Sequence, residues 1–270
     1  MSTKNKKKKA EPEEKSNRRK YTDLAGLTLN VAKTQSRMRQ YLENVTENNK
    51  PMLRECSYVF MASVLEQICK RIFKSAIKEC NENKKGVKVL NRKYILRGIK
   101  YDAYLHDIFF LAIAKNDPTQ DYSDASIVSN GDLVKLLETF DDNIKLDSAG
   151  RILIRYLLDH IFCHAVRSAE KIRLRSKVST INLGNMRDSI EILFDGKPVE
   201  RMLETAEKSA ENVSETIKEE RQKRETKNGK GKKKGGKKPK KAEAIEEDED
   251  DEEVVEKKKP KRNATRTAHA

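Results

Sequence analysis

One pattern constrains this chain more than any other, because it occurs twice. Residues 55–105 read as a long amphipathic helix, a polar and basic break, a short β-leaning run and a second, shorter amphipathic helix. The long helix is marked by Tyr58, Met61, Leu65, Ile68, Cys69, Ile72, Phe73, Ala76, Ile77 and Cys80, which recur at steps of three and four and lay one apolar stripe along about seven turns. The break covers residues 81–86, the extended run is Val87-Lys88-Val89-Leu90, and Tyr94, Ile95, Ile99 and Leu105 carry the second helix. Residues 147–194 repeat the succession. There Leu153, Leu157, Ile161, Ala165, Ala169 and Ile172 mark the long helix, residues 173–177 the break, Val178-Ser179-Thr180-Ile181 the run, and Met186, Ile190 and Leu193 the short helix, with Asn182 suited to cap it. A single copy would be an ordinary helical hairpin. Two copies, each with one stripe to bury, predict an all-α pseudo-symmetric pair packed against each other.

Particular residues narrow this further. Phe60-Met61-Ala62-Ser63-Val64-Leu65-Glu66, then Asn83-Lys84-Lys85 and Ile99, preceded by Ala25-Gly26-Leu27 and the run to Arg39, resemble the two-A core histone. Asp159-His160-Ile161-Phe162, Lys177-Val178-Ser179-Thr180-Ile181 and Phe194-Asp195-Gly196 resemble the two-B core histone in register. The resemblance covers residues 24–207 and identifies the chain as a histone doublet, similar to the fused histones of large DNA viruses. It implies two tandem histone folds closed on each other in an intramolecular handshake.

The resemblance and the punctuation of the chain set the expected organisation. A disordered basic tail occupies residues 1–23, a two-A-like fold 24–111, a linker 112–129 with Asp117-Pro118 as a breaker, and a two-B-like fold with a C-terminal helix 130–225. The first fold opens with a helix from about Asn30 to Leu42, the second with one capped by Asn130, and the C-terminal helix starts at Pro198. Residues 226–270 form a Lys-rich, then acidic (243–256), then basic tail whose like-charge blocks stay solvated. Residues 257–262 read equally as a nuclear-import signal or a generic basic end.

Charge speaks to the partner. A net charge of +15 with 37% charged residues favours a polyanion, nucleic acid ahead of a membrane surface. No apolar run approaches the roughly 20 residues of a spanning helix, and the lysine-rich N-terminus has no signal-peptide core, so a soluble intracellular protein is expected. Cys56, Cys69, Cys80 and Cys163 make no C-x-x-C pair and are expected as reduced thiols.

The resemblance carries DNA-binding roles onto named positions. Lys33, Arg37 and Arg39 match or flank the DNA-facing edge of the first helix, Lys84, Lys85 and Lys88 the second loop of the two-A-like fold, and Lys177, Ser179 and Thr180 that of the two-B-like fold. Arg173 and Arg175 lie just upstream on the same ridge. For any one of these the bland alternative is a solvated surface cation. By resemblance, contact would be through loop cations and helix-start amides to phosphate, without base reading.

Two departures stand out. Val178 occupies the place of a groove-inserting arginine. Of the carboxylate cluster that docks chromatin proteins only Glu66 and Asp102 remain; Arg71, Lys74, Ala103 and Tyr104 take other positions of it, and Lys197 and Thr205 replace its two-B members, so factors that dock there should bind poorly.

The implied partners are double-stranded DNA and a three-plus-four type histone pair or doublet, in a virion and host nucleus or viral factory for a viral chain and in chromatin for a cellular one. No membrane, small-molecule substrate, cofactor or enzymatic activity is expected. His160 and His164 sit four apart with no third metal ligand at useful spacing, and no nucleophile–base constellation is present. The alternative function is a histone-fold transcription or architectural factor that bends specific DNA. It would show a preferred site surviving competitor DNA.

Overall fold

The computed structural model describes residues 21–46, 51–83, 89–115, 126–194 and 197–230. Among them the chain is mostly helical. In order the elements are α1 (Tyr21–Leu24), α2 (Val31–Val45), β1 (Met52–Leu53), α3 (Glu55–Asn83), β2 (Val89–Leu90), α4 (Arg92–Tyr101), α5 (Ala103–Lys115), α6 (Asn130–Glu138), β3 (Lys145–Leu146), α7 (Ser148–Arg175), β4 (Thr180–Ile181), α8 (Leu183–Leu193) and α9 (Lys197–Lys230).

Short polar side chains set the helix starts by accepting the first free amides. Asn30 caps α2, Asn91 caps α4, Asp147 caps α7, and Asn182 caps α8 in a reciprocal box with Asn185. Ser129, not Asn130, caps α6, because its hydroxyl takes the Asp132 amide while the Asp132 carboxylate accepts the Ser129 N–H. The helix expected to run through Leu105 is broken. Asp102 leaves α4 in extended backbone and caps α5 by accepting the Leu105 N–H at 3.1 Å.

The strands are only two residues long, yet they fix how the two repeats meet. β1 pairs in parallel with β4, Met52 opposite Thr180 and Leu53 opposite Ile181. β2 pairs in parallel with β3, Val89 opposite Lys145 and Leu90 opposite Leu146. β1 enters α3 and β4 leaves α7, while β2 leaves α3 and β3 enters α7. The long helices therefore run antiparallel, and each repeat's second strand lies beside the other's first. Ser57 Oγ donates to the Ile181 carbonyl at 2.9 Å, and the Asp147 amide to the Leu90 carbonyl at 3.1 Å, fastening both ends.

One continuous core results. The α3 stripe (Tyr58, Met61, Leu65, Ile68, Ile72, Phe73) and the α7 stripe (Leu153, Leu157, Ile161, Ala165, Ala169) are buried in the same cluster. Helix α9 adds Val199, Met202, Leu203, Ala206, Ala210 and Val213, again at steps of three and four. Gly98 lets α4 seat on α3: a Cβ there would come 2.7 Å from the Ala76 nitrogen, with no flexible side chain to yield.

The expected linker 112–129 is redrawn where it can be seen. α5 runs to Lys115, residues 116–125 lie outside the described ones, and Ser126, Ile127 and Val128 are buried. Described residues of the expected folds at 24–111 and 130–225 are buried together in one cluster. Of the expected disordered tails 1–23 and 226–270, residues 21–23 belong instead to α1 and residues 226–230 to α9, and residues 1–20 and 231–270 lie outside the described ones. All four cysteines are free, Cys69 and Cys80 buried and Cys56 and Cys163 half-buried. Among the described residues no helix is long and apolar enough to cross a membrane.

Candidate nucleic-acid interface

Cations gather at both ends of the antiparallel α3/α7 pair and partway along it. At the β1/β4 end, Arg175, Lys177 and Ser179 are exposed and Thr180 half-buried, its hydroxyl 3.4 Å from that of Ser179. The Met52 amide donates to the Ser179 carbonyl and the Arg54 amide to the Ile181 carbonyl, which brings the exposed Arg54 to the same place.

The turn that presents these groups is a Schellman stop to α7. The Val178 amide donates to the Arg173 carbonyl and the Lys177 amide to the Leu174 carbonyl. Such a stop needs a left-handed residue, usually glycine, and here Lys177 occupies it with φ 55°. A lysine held in a conformation that favours glycine is a cost of about 1 kcal/mol or more that the side chain must justify.

Arg173 differs from expectation. Its side chain is 6% exposed, so it is not on the open ridge. Nε and Nη2 donate to Glu170 at 2.7 Å each, and Nη1 donates to the Val178 carbonyl at 2.7 Å. It shapes the turn from beneath while Arg175 and Lys177 face solvent.

The second group forms where α2 lies along α7. Lys33 is half-buried, and its ammonium is pushed below the usual lysine value by burial and by the neighbouring Arg155, against the pull of Asp132 and Asp159. Asp132 is in the first turn of α6, so the starts of α2 and α6 approach each other. Arg37 stands near Asp159, whose carboxyl is raised by burial although the Ile127 amide donates to it at 2.8 Å. Further along, Arg167 Nε donates to Tyr41 Oη at 3.1 Å, and the Tyr41 ring meets Phe162 edge-on. Arg39 is exposed. A phosphate beside Lys33 and Arg155 would relieve the repulsion between them.

The third group is the β2/β3 end. Lys145 is exposed, Arg92 half-buried, and Arg151 Nε donates to the Leu146 carbonyl at 3.1 Å. The expected Lys84, Lys85 and Lys88 belong to the approach to β2 and lie outside the described residues. Arg54, Lys145, Arg151 and Arg155 were missed in the sequence. Arg54 follows β1 and Lys145 lies in β3, strands too short to be recognised, and Arg151 and Arg155 sit inside a helix legible only through its apolar stripe.

The carboxylates of Glu66 and Asp102 are both engaged within the fold. Glu66 is 1% exposed; its carboxylate accepts the Thr28 and Leu29 amides at 2.7 and 3.0 Å and pairs with Lys70 at 2.7 Å. Asp102 is gripped by Arg71 through Nε and Nη2 and accepts from Ser75 Oγ at 3.0 Å. The Arg71 guanidinium also lies over the Tyr104 ring, 4.6 Å from its centroid. The His160 and His164 ring centroids lie 4.5 Å apart with the planes tilted by 51°, and among the described residues no three His, Cys, Asp or Glu groups come together to hold a metal.

No protein-family model matches the sequence, and no curated protein is similar to it.

Proposed function

We propose that the chain is a histone doublet: two histone folds in one polypeptide, closed in a handshake, that bind and wrap double-stranded DNA without strong sequence specificity and package a genome, by resemblance a viral one, into nucleosome-like particles. A three-plus-four type histone pair or doublet completes the particle. The observation that carries this reading is the reciprocal pairing of β1 with β4 and of β2 with β3. Each strand that follows a long helix pairs with the strand that precedes the other long helix, as a handshake requires.

A helix of 28 residues is about 42 Å long, so the two loop pairs are separated by a distance of the order of one duplex turn, about 34–36 Å. Successive inward-facing phosphates would then meet Arg54, Arg175 and Lys177, next the starts of α2 and α6 with Lys33 and Arg37, and last Lys145. Helix-start amides add fixed partial positive charge at the middle point. Contacts of this kind neutralise backbone charge and leave base edges unread, so the duplex is selected by deformability.

Nuclease digestion of random-sequence DNA tests this, with the chain alone and with a three-plus-four type pair. A discrete protected length that appears with the partner is expected. No discrete length in either case overturns the wrapping function, and a preferred site that survives competitor DNA gives the alternative, a regulatory factor. Affinity should also fall roughly 10³- to 10⁵-fold between 50 and 200 mM salt if six to ten phosphates are neutralised.

A further inference from the structure

A groove of about 870 Å³ lies between α3, the end of α4, the start of α5 and the first turns of α9. Its lining is strongly basic. Three of the α3 cations are already engaged: Lys70 with Glu66, Arg71 with Asp102, and Lys78 at 3.9 Å from Glu82. Lys74 on the α3 wall and Arg201 on the α9 wall are exposed and have no acidic partner among the described residues. Two large apolar groups also face the groove while open to solvent, Tyr101 at 69% and Phe140 at 40% exposure. Tyr101 keeps this exposure beside Lys100, and Phe140 keeps it while its ring meets Phe73 edge-on; cations without an acidic partner beside exposed aromatic rings in a concave site are the elements of a recognition surface.

We propose that this groove docks an acidic peptide segment of another protein, with its carboxylates on Lys74 and Arg201 and an apolar side chain against Tyr101 and Phe140. The assignment does not rest on DNA wrapping. A duplex fits less well, because its charged outer backbone has no apolar group to set against Tyr101 and Phe140, whereas a peptide can place an apolar side chain there between two carboxylates.

The test is fluorescence anisotropy of a labelled peptide of glutamates around one phenylalanine, titrated with the full chain. Lys74→Glu with Arg201→Glu should weaken binding at least about tenfold, and Lys232→Glu with Lys233→Glu, an equal charge change in the tail, less than about twofold. Equal weakening by both pairs overturns the proposal, since it means diffuse attraction. It is also overturned if the groove pair weakens duplex or single-stranded DNA as much as the peptide. Peptide binding that appears only after residues 246–256 are neutralised overturns it too, because the chain's own acidic run then fills the groove. Should the reversed pair melt early, Lys74→Gln with Arg201→Gln replaces it and must give the same selective loss.

Discussion

Arg173 and Glu170, three residues apart on α7, face each other from buried positions through two hydrogen bonds of 2.7 Å. The third bond of the same guanidinium, to the Val178 carbonyl, ties this buried pair to the turn that carries Lys177. Removing one partner leaves the other charge desolvated and unpaired. Arg173→Ala or Glu170→Gln should therefore cost about 3–5 kcal/mol in urea unfolding, while the double change to Met and Leu should come close to wild type. If the single changes cost under about 1 kcal/mol, the pair is solvated and the turn is held by something else.

Lys177 should behave as a residue that gives up stability for position. Lys177→Gly relieves the left-handed backbone and is expected to stabilise the fold by about 1 kcal/mol. The same change should weaken DNA binding and reduce the salt slope by about 0.9, the loss of one phosphate contact. Lys177→Arg keeps both the strain and the affinity. Parallel melts and salt titrations of the two variants separate backbone from charge.

Asp102 makes part of the stability depend on acid. Burial on its own would raise its carboxyl, but the hydrogen bonds from Arg71, the Leu105 amide and Ser75 outweigh that and hold it below the usual 3.8. A depressed carboxyl favours the folded state when ionised. Its contribution is complete above the ordinary aspartate range and is lost as pH falls through the lower folded value. Wild type should thus exceed Asp102→Asn in stability near neutrality, with the gap closing below about pH 4. A gap constant from about pH 6 to about pH 3 would show that the Arg71 contact contributes nothing through charge.

Gly98 and Gly150 offer a paired comparison. A Cβ at Gly98 meets the backbone of Ser75 and Ala76, which cannot yield, whereas one at Gly150 meets the Asp147 carboxylate and the methyl ends of Ile95 and Leu146. Gly98→Ala should cost about 1–3 kcal/mol by prising α4 from α3, and Gly150→Ala distinctly less. Thermal melts that rank the two the other way would contradict the α3–α4 seat.

The buried stripes were legible because a step of three and four is visible without knowing the partner. Tyr58 to Phe73 and Leu153 to Ala169 needed only their own spacing, and Asn182 announced itself as a cap. The break at Asp102 was not legible, since Tyr94, Ile95, Ile99 and Leu105 continue one periodicity across it. At the break Asp102 turns extended and caps Leu105, its carboxylate also held by Arg71, 31 residues away. Arg173 was misplaced for a related reason: an Arg three residues from a Glu reads equally as a solvated pair, and only the fold buries it. The groove joins residues from Gln67 to Thr205 and exists in no single stretch of sequence.

The strand pairs also set a timetable for synthesis. β1 and β2 each need a strand from the other repeat, and β4 is the last to leave the ribosome. At about 5–20 residues per second, β1 waits roughly 6–25 s for its mate. Through that interval the α3 stripe has no α7 to cover it, and the nascent chain is at its stickiest. Fusing the repeats makes their encounter unimolecular and insensitive to dilution, yet it also compels every copy to pass through this half-made, aggregation-prone stage before the second long helix arrives.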